Sequence, residues 1–332
     1  MSNSKQVVLV TGGTGFTGSH LVKRLLERGH EVRVLDNQEG LFFDELKEMG
    51  ACITMGSVTD RELLDEIVQG CDVVHHLAAA FRVINDPKEV YWEVNVNGTR
   101  YLLEAAHKHG VQKFVYCSTQ GVHGHIENPP GDEESPIAPA DYYQYTKHEG
   151  EKVAHEFMEK GMDITILRPT AIYGPGDPER WYMLFKHTAN GRFLMFGNGT
   201  TTYHPVYIDN LVDAFELAVE KEEATGQTYI IGDREYYKLR ELVKMVGEAQ
   251  GKDVSIVRLP FWPLWTAALL CEIVCAPLRI APPLFRRRVD WFRQRRAFDI
   301  SKAINELGYE AAVDLPTGLA RTAEWYKANG YL

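Results

Sequence analysis

The stretch VVLVTGGTGFTGSHLVKRLLERG, residues 7–29, decides the fold of this chain. It begins with a β-branched run typical of a buried strand and ends with apolar residues at helical spacing. Between the two lie Gly12, Gly15 and Gly18 in a GxxGxxG pattern. Glycines at this spacing let the backbone turn tightly and approach a pyrophosphate, and the following helix offers free N–H groups to the phosphates. The stretch predicts a dinucleotide-binding loop; the alternative is a tight turn without a ligand.

An acid at the end of the next predicted strand bears on the choice of dinucleotide. The run EVRVLD, residues 31–36, ends on Asp36. A carboxylate at this place accepts hydrogen bonds from adenosine ribose hydroxyls and repels a 2′-phosphate. Neither Arg33 nor Asn37 offers an obvious phosphate clamp in its stead. We therefore expect NAD to be preferred over NADP.

The alternation of strands and helices continues along most of the chain. Short apolar runs predict strands at 52–55, 72–76, 113–118, 163–167 and 228–231, with helices near 60–69 and 89–109. This pattern is typical of a parallel sheet covered by helices on both faces. We predict an α/β fold, a doubly wound parallel sheet (Rossmann) of about seven strands, with a smaller C-terminal substrate lobe. The predicted NAD-binding domain comprises residues 1–175 plus 204–232, and the substrate-binding lobe comprises 176–203 plus 233–332.

Composition excludes several classes of protein. The 332 residues have a net charge of −10, which argues against a nucleic-acid partner because such proteins usually present a basic surface. The five cysteines show no metal-binding spacing, so we predict no metal and a reducing compartment. The N-terminus lacks a signal-peptide pattern, and we expect a cytoplasmic protein. The apolar stretch 261–276 contains Pro263 and Glu272, and we expect it to be too short and too interrupted to span a bilayer.

Two residues in the middle of the chain suit proton transfer. Tyr143 and Lys147 are four positions apart, so they would share one face of a helix. A nearby ammonium favours phenolate and lowers a tyrosine pKa from its ordinary value of about 10. Tyr142 and Tyr145 have no lysine four residues later. The alternative for this pair is a solvated helix face.

Hydroxyl residues follow the buried run at 114–117. Ser118 and Thr119 stand where that strand ends, and ligands of a doubly wound sheet bind at the carboxyl ends of its strands. A hydroxyl there can bind a substrate oxygen and hold it against Tyr143.

Eight segments in fixed order now resemble a known family. They are TGGTGFTGSHL (11–21), Asp36, HLAA (76–79), NVNGT (95–99), STQGVHG (118–124), YYQYTKHEGE (142–151), LRPTAIYGPGD (167–177) and PVYIDN (205–210). Together they resemble the extended short-chain dehydrogenases/reductases, also called the NAD-dependent epimerase/dehydratase family. The resemblance covers residues 1–230.

The resemblance implies an NAD(P)-dependent dehydrogenase/reductase or epimerase and a role for each matching residue. Thr119 would bind the substrate oxygen, with Ser118 as a second candidate; Tyr143 would be the catalytic acid/base, and Lys147 would bind the nicotinamide ribose. The implied cofactor-binding residues are Gly12, Gly15, Phe16, Thr17, Gly18, Asp36, Ser57, Val58, Leu77, Ala78, Ala79, Asn95, Ser118, Tyr143, Lys147, Pro169 and Ile172. Ser57 stands where family members often have an acid that contacts adenine.

Departures from the family pattern indicate the branch. Gln120 and Gly121 replace the Asp-Glu pair of 4,6-dehydratases, and Tyr203 and His204 replace the Arg-Asp pair of nucleotide-sugar epimerases. The C-terminal segments 296–303, 306–309 and 324–327 resemble the 3β-hydroxysteroid dehydrogenase-like and dihydroflavonol reductase-like branch. We predict hydride transfer between NAD and a secondary alcohol or ketone carbon of a hydrophobic, sterol-like or lipid-like substrate. One alternative is a nucleotide-sugar epimerase with tightly bound NAD. Another is a non-catalytic NAD-binding scaffold, and the intact acid/base residues disfavour this scaffold.

Two further segments allow alternative interpretations. The aromatic side chains of 181–196 suit either an apolar substrate pocket or ordinary core packing. Residues 261–296 combine the apolar stretch with seven arginines, which suits a peripheral contact with an anionic membrane, an anionic substrate or a solvated helix. The family resemblance also implies a homodimer built on helices near 89–109 and 142–160.

Overall fold

The fold is described from a computed structural model that covers residues 5–81, 87–178, 180–278, 280 and 282–332. Its strands are β1 (Val7–Thr11), β2 (Glu31–Asp36), β3 (Cys52–Met55), β4 (Val73–His76), β5 (Lys113–Cys117), β6 (Ile164–Pro169), β7 (Ala171–Tyr173), β8 (Arg192–Phe196), β9 (Thr202–Tyr203), β10 (Pro205–Tyr207), β11 (Thr228–Ile231), β12 (Tyr237–Lys238) and β13 (Ser255–Leu259).

Its α-helices are α1 (Phe16–Glu27), α2 (Phe43–Glu48), α3 (Arg61–Val68), α4 (Lys88–Trp92), α5 (Thr99–Lys108), α6 (Tyr142–Met158), α7 (Arg180–Thr188), α8 (Ile208–Glu220), α9 (Leu239–Glu248), α10 (Phe261–Leu278), α11 (Arg286–Val289) and α12 (Leu315–Ala328). Two π-helical turns (Glu93–Gly98 and Ala303–Leu307) and three 3₁₀ turns (Gln120–His123, Glu222–Ala224 and Asp290–Phe292) complete them.

Seven parallel strands form the central sheet in the order β11-β6-β5-β4-β1-β2-β3. The predicted doubly wound sheet is therefore confirmed. Strand β1 pairs on one side with β2, through Val10 and Val34, and on the other with β4, through Val10 and His75. The order reverses at this point, so a crevice opens beyond the carboxyl ends of β1 and β4, where ligands of such sheets bind.

Both faces of the sheet are covered by apolar side chains of helices. One face packs on α1 and α8, with Leu21 and Leu211 fully buried. The other packs on α3, α5 and α6, with Leu64 and Leu102 fully buried. Burial on both faces explains why the strands are continuous apolar runs rather than alternating ones.

Some predicted boundaries shift. The predicted helix near 89–109 is three pieces in sequence: α4, the π-helical turn Glu93–Gly98 and α5. Helix α1 begins at Phe16, so Gly18, the third glycine of the pattern, lies inside the helix. Strand β6 continues through Pro169, because the missing N–H of a proline is tolerated at the end of a strand.

A third apolar cluster holds the C-terminal segments together. Aromatic side chains of 181–196 belong to it together with Met195: Trp181, Phe185, Phe193 and Met195 are at most 5% exposed. Trp181 lies 4.6 Å from the ring of Tyr173, centre to centre. Core packing, the second of the two interpretations, therefore accounts for these four residues.

Helix α10 corrects the expectation that its apolar stretch is interrupted. It is one unbroken helix of 18 residues, Phe261–Leu278. Pro263 stands in its first turn, where a proline costs no hydrogen bond, and Pro277 is next to its last residue. By length and composition alone this helix could cross a membrane, and only 6% of it is buried in the protein.

Candidate active site

The glycine loop joins β1 to α1 at the crevice. Gly12 has φ +70°, and a Cβ atom at this residue would lie 2.8 Å from the backbone nitrogen of Ala78. A Cβ on Gly18 would lie 2.1 Å from the carbonyl oxygen of Gly12. Side chains are therefore excluded at both positions, at Gly12 by the backbone that follows β4 and at Gly18 by the loop itself. Helix α1 has no side-chain cap at Gly15, so the N–H groups of its first turn, at Phe16 and Thr17, have no side-chain acceptor there.

Asp36 holds the same loop from the end of β2. Its Oδ2 accepts a hydrogen bond from the backbone N–H of Thr14 (3.0 Å), and its Oδ1 accepts one from Asn37 (2.8 Å). The side chain is only 8% exposed. Asp36 therefore fixes the glycine loop, and its carboxylate lies at the edge of the crevice where a ribose would bind.

The end of β4 forms the opposite wall of the crevice. The Thr11 hydroxyl lies 2.7 Å from His76 Nδ1 and accepts the N–H of Ala78 (3.2 Å). Leu77, Ala78 and Ala79 are half-buried directly after the strand. Burial, with the Lys147 charge nearby, keeps the pKa of His76 well below its usual value, so His76 acts as a neutral hydrogen-bonding spacer.

Asn95 was implied as a cofactor contact, but its side chain has other partners. Its Oδ1 accepts the N–H of Ala80 (2.8 Å), and its Nδ2 donates to the Ala80 carbonyl (3.2 Å) and to Thr146 Oγ1 (3.0 Å). Both amide hydrogens are thus engaged, at 1% exposure. Asn95 therefore braces the loop after β4 against α6, and any effect on the cofactor is indirect.

Ser57 and Val58 show a similar pattern on the adenine side. The Ser57 hydroxyl lies 2.8 Å from that of Thr59 and accepts the Thr59 N–H (3.1 Å). Val58 is 5% exposed and packs against Gly98. The hydroxyl that replaces the family's acid closes a local turn.

Helix α6 presents Tyr143 and Lys147 one turn apart. Asp141 caps the helix by accepting the N–H of Gln144 (2.9 Å). Tyr143 is half-buried and lies 4.7 Å from Phe81, ring centre to ring centre. The predicted shared helix face is confirmed, and Phe81 covers part of the tyrosine ring.

Lys147 is a buried cation. It is 1% exposed, and its Nζ lies 4.1 Å from the ring centre of Tyr116. Burial lowers the pKa of Lys147 to about 8, although nearby Cys117 and Glu151 favour its charged form. An ammonium held in so dry a place acts strongly on neighbouring oxygens, which is what stabilising a phenolate requires.

The structure separates the two candidate hydroxyls. Thr119 Oγ1 accepts the backbone N–H of Gly121 (3.0 Å), which leaves its own proton to be donated elsewhere. Ser118 is 3% exposed, and its hydroxyl donates a short hydrogen bond to Glu151. Thr119 is half-buried. Thr119 is therefore the better partner for a substrate oxygen, and the side chain of Ser118 is occupied.

Behind Ser118 lies a charged pair that sequence reasoning missed. Arg168, on β6, donates to both carboxylate oxygens of Glu151, through Nε (2.9 Å) and Nη2 (2.7 Å). Burial alone would raise the pKa of Glu151, but hydrogen bonds from His148, Arg168 and Ser118 lower it to about 2. The available sequence signal was a charge within an otherwise buried strand, because arginine is rarely buried without a partner.

Two buried polar residues stand where other branches of the family carry charged residues. Gln120, next to Thr119, is 6% exposed, and its Oε1 has no hydrogen-bond partner among the described residues. His204 is 3% exposed and lies 2.8 Å from the carbonyl oxygen of Asp233, and burial lowers its pKa to about 4. Neither Tyr203, which stands at the arginine position, nor the neutral, buried His204 beside it offers a positive charge for a diphosphate.

The residues of the crevice fit a dinucleotide. The glycine loop and the start of α1 would hold the pyrophosphate, Asp36 the adenosine ribose, and Lys147 the nicotinamide ribose. Pro169 is buried at the end of β6, and half-buried Ile172 follows in β7, which pairs with β10 in a separate two-stranded sheet. Among the described residues no group of three His, Cys, Asp or Glu side chains could hold a metal ion.

Comparison with known proteins agrees with this geometry. The model of the NAD dependent epimerase/dehydratase family matches residues 8–232. The N-acetyl-alpha-D-glucosaminyl-diphospho-ditrans,octacis-undecaprenol 4-epimerase of Escherichia coli O157:H7 is 30% identical over 322 residues, covering 96% of this chain and 94% of the relative. The 3-beta-hydroxysteroid dehydrogenase of Mycolicibacterium neoaurum is 31% identical over 335 residues, covering 96% and 91%.

A solved structure shows the same fold over the whole chain. The UDP-glucose 4-epimerase of Thermotoga maritima, with UDP-glucose, superposes with a TM-score of 0.81 at 27% identity, covering 97% of this chain and 99% of that one.

The burial of Lys147 predicts a stability cost in the cofactor-free protein. Its pKa of about 8 lies below the value of 10.5 for a solvated lysine, so the unfolded chain binds the extra proton between these pH values. The free energy of unfolding should therefore rise between pH 8 and pH 10.5. Lys147→Met removes the cost and should raise that free energy at pH 7 by up to about 3 kcal/mol.

Urea unfolding of the two proteins at several pH values measures this difference, which should shrink toward pH 10.5. Lys152→Met is the matched control, because Lys152 lies on the same helix with its side chain 56% exposed. A Lys147→Met protein less stable than the native one at pH 7 would contradict the interpretation.

Proposed function

The chain belongs to the NAD dependent epimerase/dehydratase family, the extended short-chain dehydrogenases/reductases, and on that premise we propose a specific activity. We propose that it transfers hydride between NAD and a secondary alcohol or ketone carbon of a hydrophobic, sterol-like or lipid-like substrate. The main support is the set of Thr119, Tyr143 and Lys147, which stand at the carboxyl end of the sheet beside the predicted nicotinamide site. Its cytoplasmic location and homodimeric state stay predictions.

Protein groups supply the proton side of the reaction. Thr119, whose Oγ1 accepts the Gly121 N–H, donates its own hydrogen bond to the substrate oxygen. In the oxidative direction Tyr143 accepts the hydroxyl proton as general base, and in the reductive direction it returns one. The buried ammonium of Lys147 stabilises the phenolate form of that tyrosine. Bound NAD supplies the hydride acceptor or, when reduced, the donor.

The substrate class is inferred from what the site lacks and from its relatives. Gln120 and Gly121 offer no carboxylic acid for water elimination, and buried, neutral His204 offers no charge for a diphosphate at that place. The relative from Mycolicibacterium neoaurum is named for a steroid. The relative from Escherichia coli is named for a diphospho-linked polyprenol sugar, so it supports only the apolar part of the proposed substrate.

An epimerase with tightly bound NAD is the second candidate. It is favoured by the 30% identity to the undecaprenol-linked epimerase and by the TM-score of 0.81 to UDP-glucose 4-epimerase. Such an enzyme would use the same Tyr143 and Lys147 and would return the hydride to the opposite face of the sugar ring.

Cofactor turnover separates the two activities. We expect free NADH to form when purified protein and added NAD are screened with sterols and long-chain β-hydroxy acids, and not with UDP-sugars. The measurement is NADH absorbance, together with release of bound nucleotide on denaturation. Conversion of a sugar substrate without free NADH, by protein that holds stoichiometric NAD, would replace the proposal with the second candidate.

Removing one oxygen tests the acid/base role. Tyr143→Phe keeps the ring beside Phe81 but removes the transferable proton, so the rate should fall by about 10²–10⁴-fold with little change in NAD binding. Turnover and NAD titration measure the two effects. Tyr142→Phe, one residue earlier on the same helix, is the control and should stay near the native rate. Nearly full turnover by Tyr143→Phe would refute the mechanism.

Asp36 should set the preference for NAD over NADP. Asp36→Asn keeps an oxygen for the Thr14 N–H but loses the charge that repels a 2′-phosphate. We expect the dissociation constant for NADP, divided by that for NAD, to fall by about tenfold, which is ~1.4 kcal/mol. Fluorescence titration with both nucleotides gives the ratio. Tighter binding of NADP than of NAD by the native protein would show that Asp36 has another role.

A further inference from the structure

Helix α10 exposes an apolar face that nothing in the described chain covers. The side chains of Trp262, Leu270, Ile273, Val274 and Leu278 are 56–71% exposed. Soluble proteins rarely leave apolar side chains of this size together in water, and such a patch usually marks an interaction site. The opposite side of the helix is partly covered, with Ala268 fully buried.

Cations lie along the other side of this helix. Residues 261–296 contain seven arginines and two acids in a chain whose net charge is −10. Arg286 lies 5.8 Å from the ring centre of Trp265, and Arg293 lies 4.8 Å from that of Phe261. Arg279 and the side chains of Arg287 and Arg288 lie outside the described structure. An acidic protein thus concentrates positive charge beside its most exposed apolar surface.

This combination fits one occupant. We propose that α10 docks on an anionic lipid bilayer, with its apolar face among the acyl chains and the arginines at the phosphate groups. Each cation near an anionic membrane surface is attracted to the lipid phosphates, and burial of the apolar side chains strengthens the binding. A second copy of this chain would face the same arginines with its own, so charge complementarity favours the lipid.

The geometry also sets how the helix lies. Arg286 donates to Glu272 from its backbone N–H (2.6 Å) and from Nε (2.7 Å), so the chain after α10 folds back to the middle of the helix. A helix that crossed the bilayer would place this ion pair in the hydrocarbon layer, at high cost. Docking along the surface keeps the pair at the headgroups. The proposal is therefore an interfacial helix.

The segment that follows the docking helix contacts the loop after Thr119. Strand β13, which precedes α10, pairs with β8. After the arginine segment, the Arg295 N–H donates to His125 Nδ1 (3.0 Å) and Ile126 donates to the Arg295 carbonyl (3.0 Å). His125 follows Thr119 by six residues. Docking would place the substrate side of the molecule near the lipid, whatever the enzyme's substrate is.

Vesicle flotation of the full chain tests the proposal. Purified protein should float with 3:1 phosphatidylcholine–phosphatidylglycerol vesicles, about tenfold less with phosphatidylcholine alone, and less again as salt screens the arginines. Leu270→Gln with Val274→Gln should weaken binding to anionic vesicles by about tenfold or more. Leu41→Gln is the matched control, because Leu41 is 56% exposed, as Leu270 is. Circular dichroism checks that each variant is folded.

A second measurement uses the fluorescence of Trp262 and changes only this residue of the apolar face. Trp262 is 71% exposed, so brominated lipids should quench its fluorescence, and Trp262→Phe should lose most of that quenching. The proposal is wrong if the native protein does not bind anionic vesicles, or if the double variant binds as the native protein does. It is also wrong if light scattering shows a dimer that the double variant alone converts to monomer, or if binding resists both salt and alkaline carbonate, as a spanning helix would.

Discussion

The ion pair between Glu151 and Arg168 is the contact on which the candidate site depends. Glu151 lies on the helix that presents Tyr143 and Lys147, Arg168 lies on β6, and Ser118 at the end of β5 donates to the same carboxylate. These three elements could slide past one another if they touched only through apolar side chains. Removing one partner of such a buried pair leaves a charge without compensation, which typically costs about 3–5 kcal/mol. The pair therefore fixes the catalytic helix against the strands that end at the substrate.

Burial has opposite consequences for two neighbouring charges. The carboxylate of Glu151 is surrounded by donors and stays ionised, whereas the described contact of the Lys147 ammonium is a tyrosine ring. The hydrogen bonds to Glu151 stabilise the fold. The buried charge of Lys147 destabilises it until ribose hydroxyls and a phenolate come close to the ammonium. Functional residues often break the rule that buried charges are paired, because their partners arrive with the ligand.

Sequence patterns predicted the parallel sheet and the shared helix face of Tyr143 and Lys147, and the reasons are local. A strand, a glycine loop and a helix are specified by neighbouring residues, and so is the four-residue spacing of Tyr143 and Lys147. The roles of Asn95, Ser118 and Glu151 could not be predicted, because each depends on a partner distant in the chain. The aromatic residues at 181–196 posed a different problem, since an apolar pocket and an apolar core have the same composition. Helix α10 was misjudged because a proline in a first turn does not interrupt a helix.

The excursion that contains α10 begins and ends at one place on the body of the protein. Leu259, before it, pairs with Phe196, and Phe292, after it, lies 5.5 Å from the ring centre of the same Phe196. A segment whose two ends lie close together can be lengthened, shortened or exchanged with little strain elsewhere, because the distance between its ends does not change. The residues between Leu259 and Phe292 therefore form an insertion that leaves and rejoins the body of the protein at Phe196. The length and composition of this segment can therefore change while the catalytic residues keep their positions.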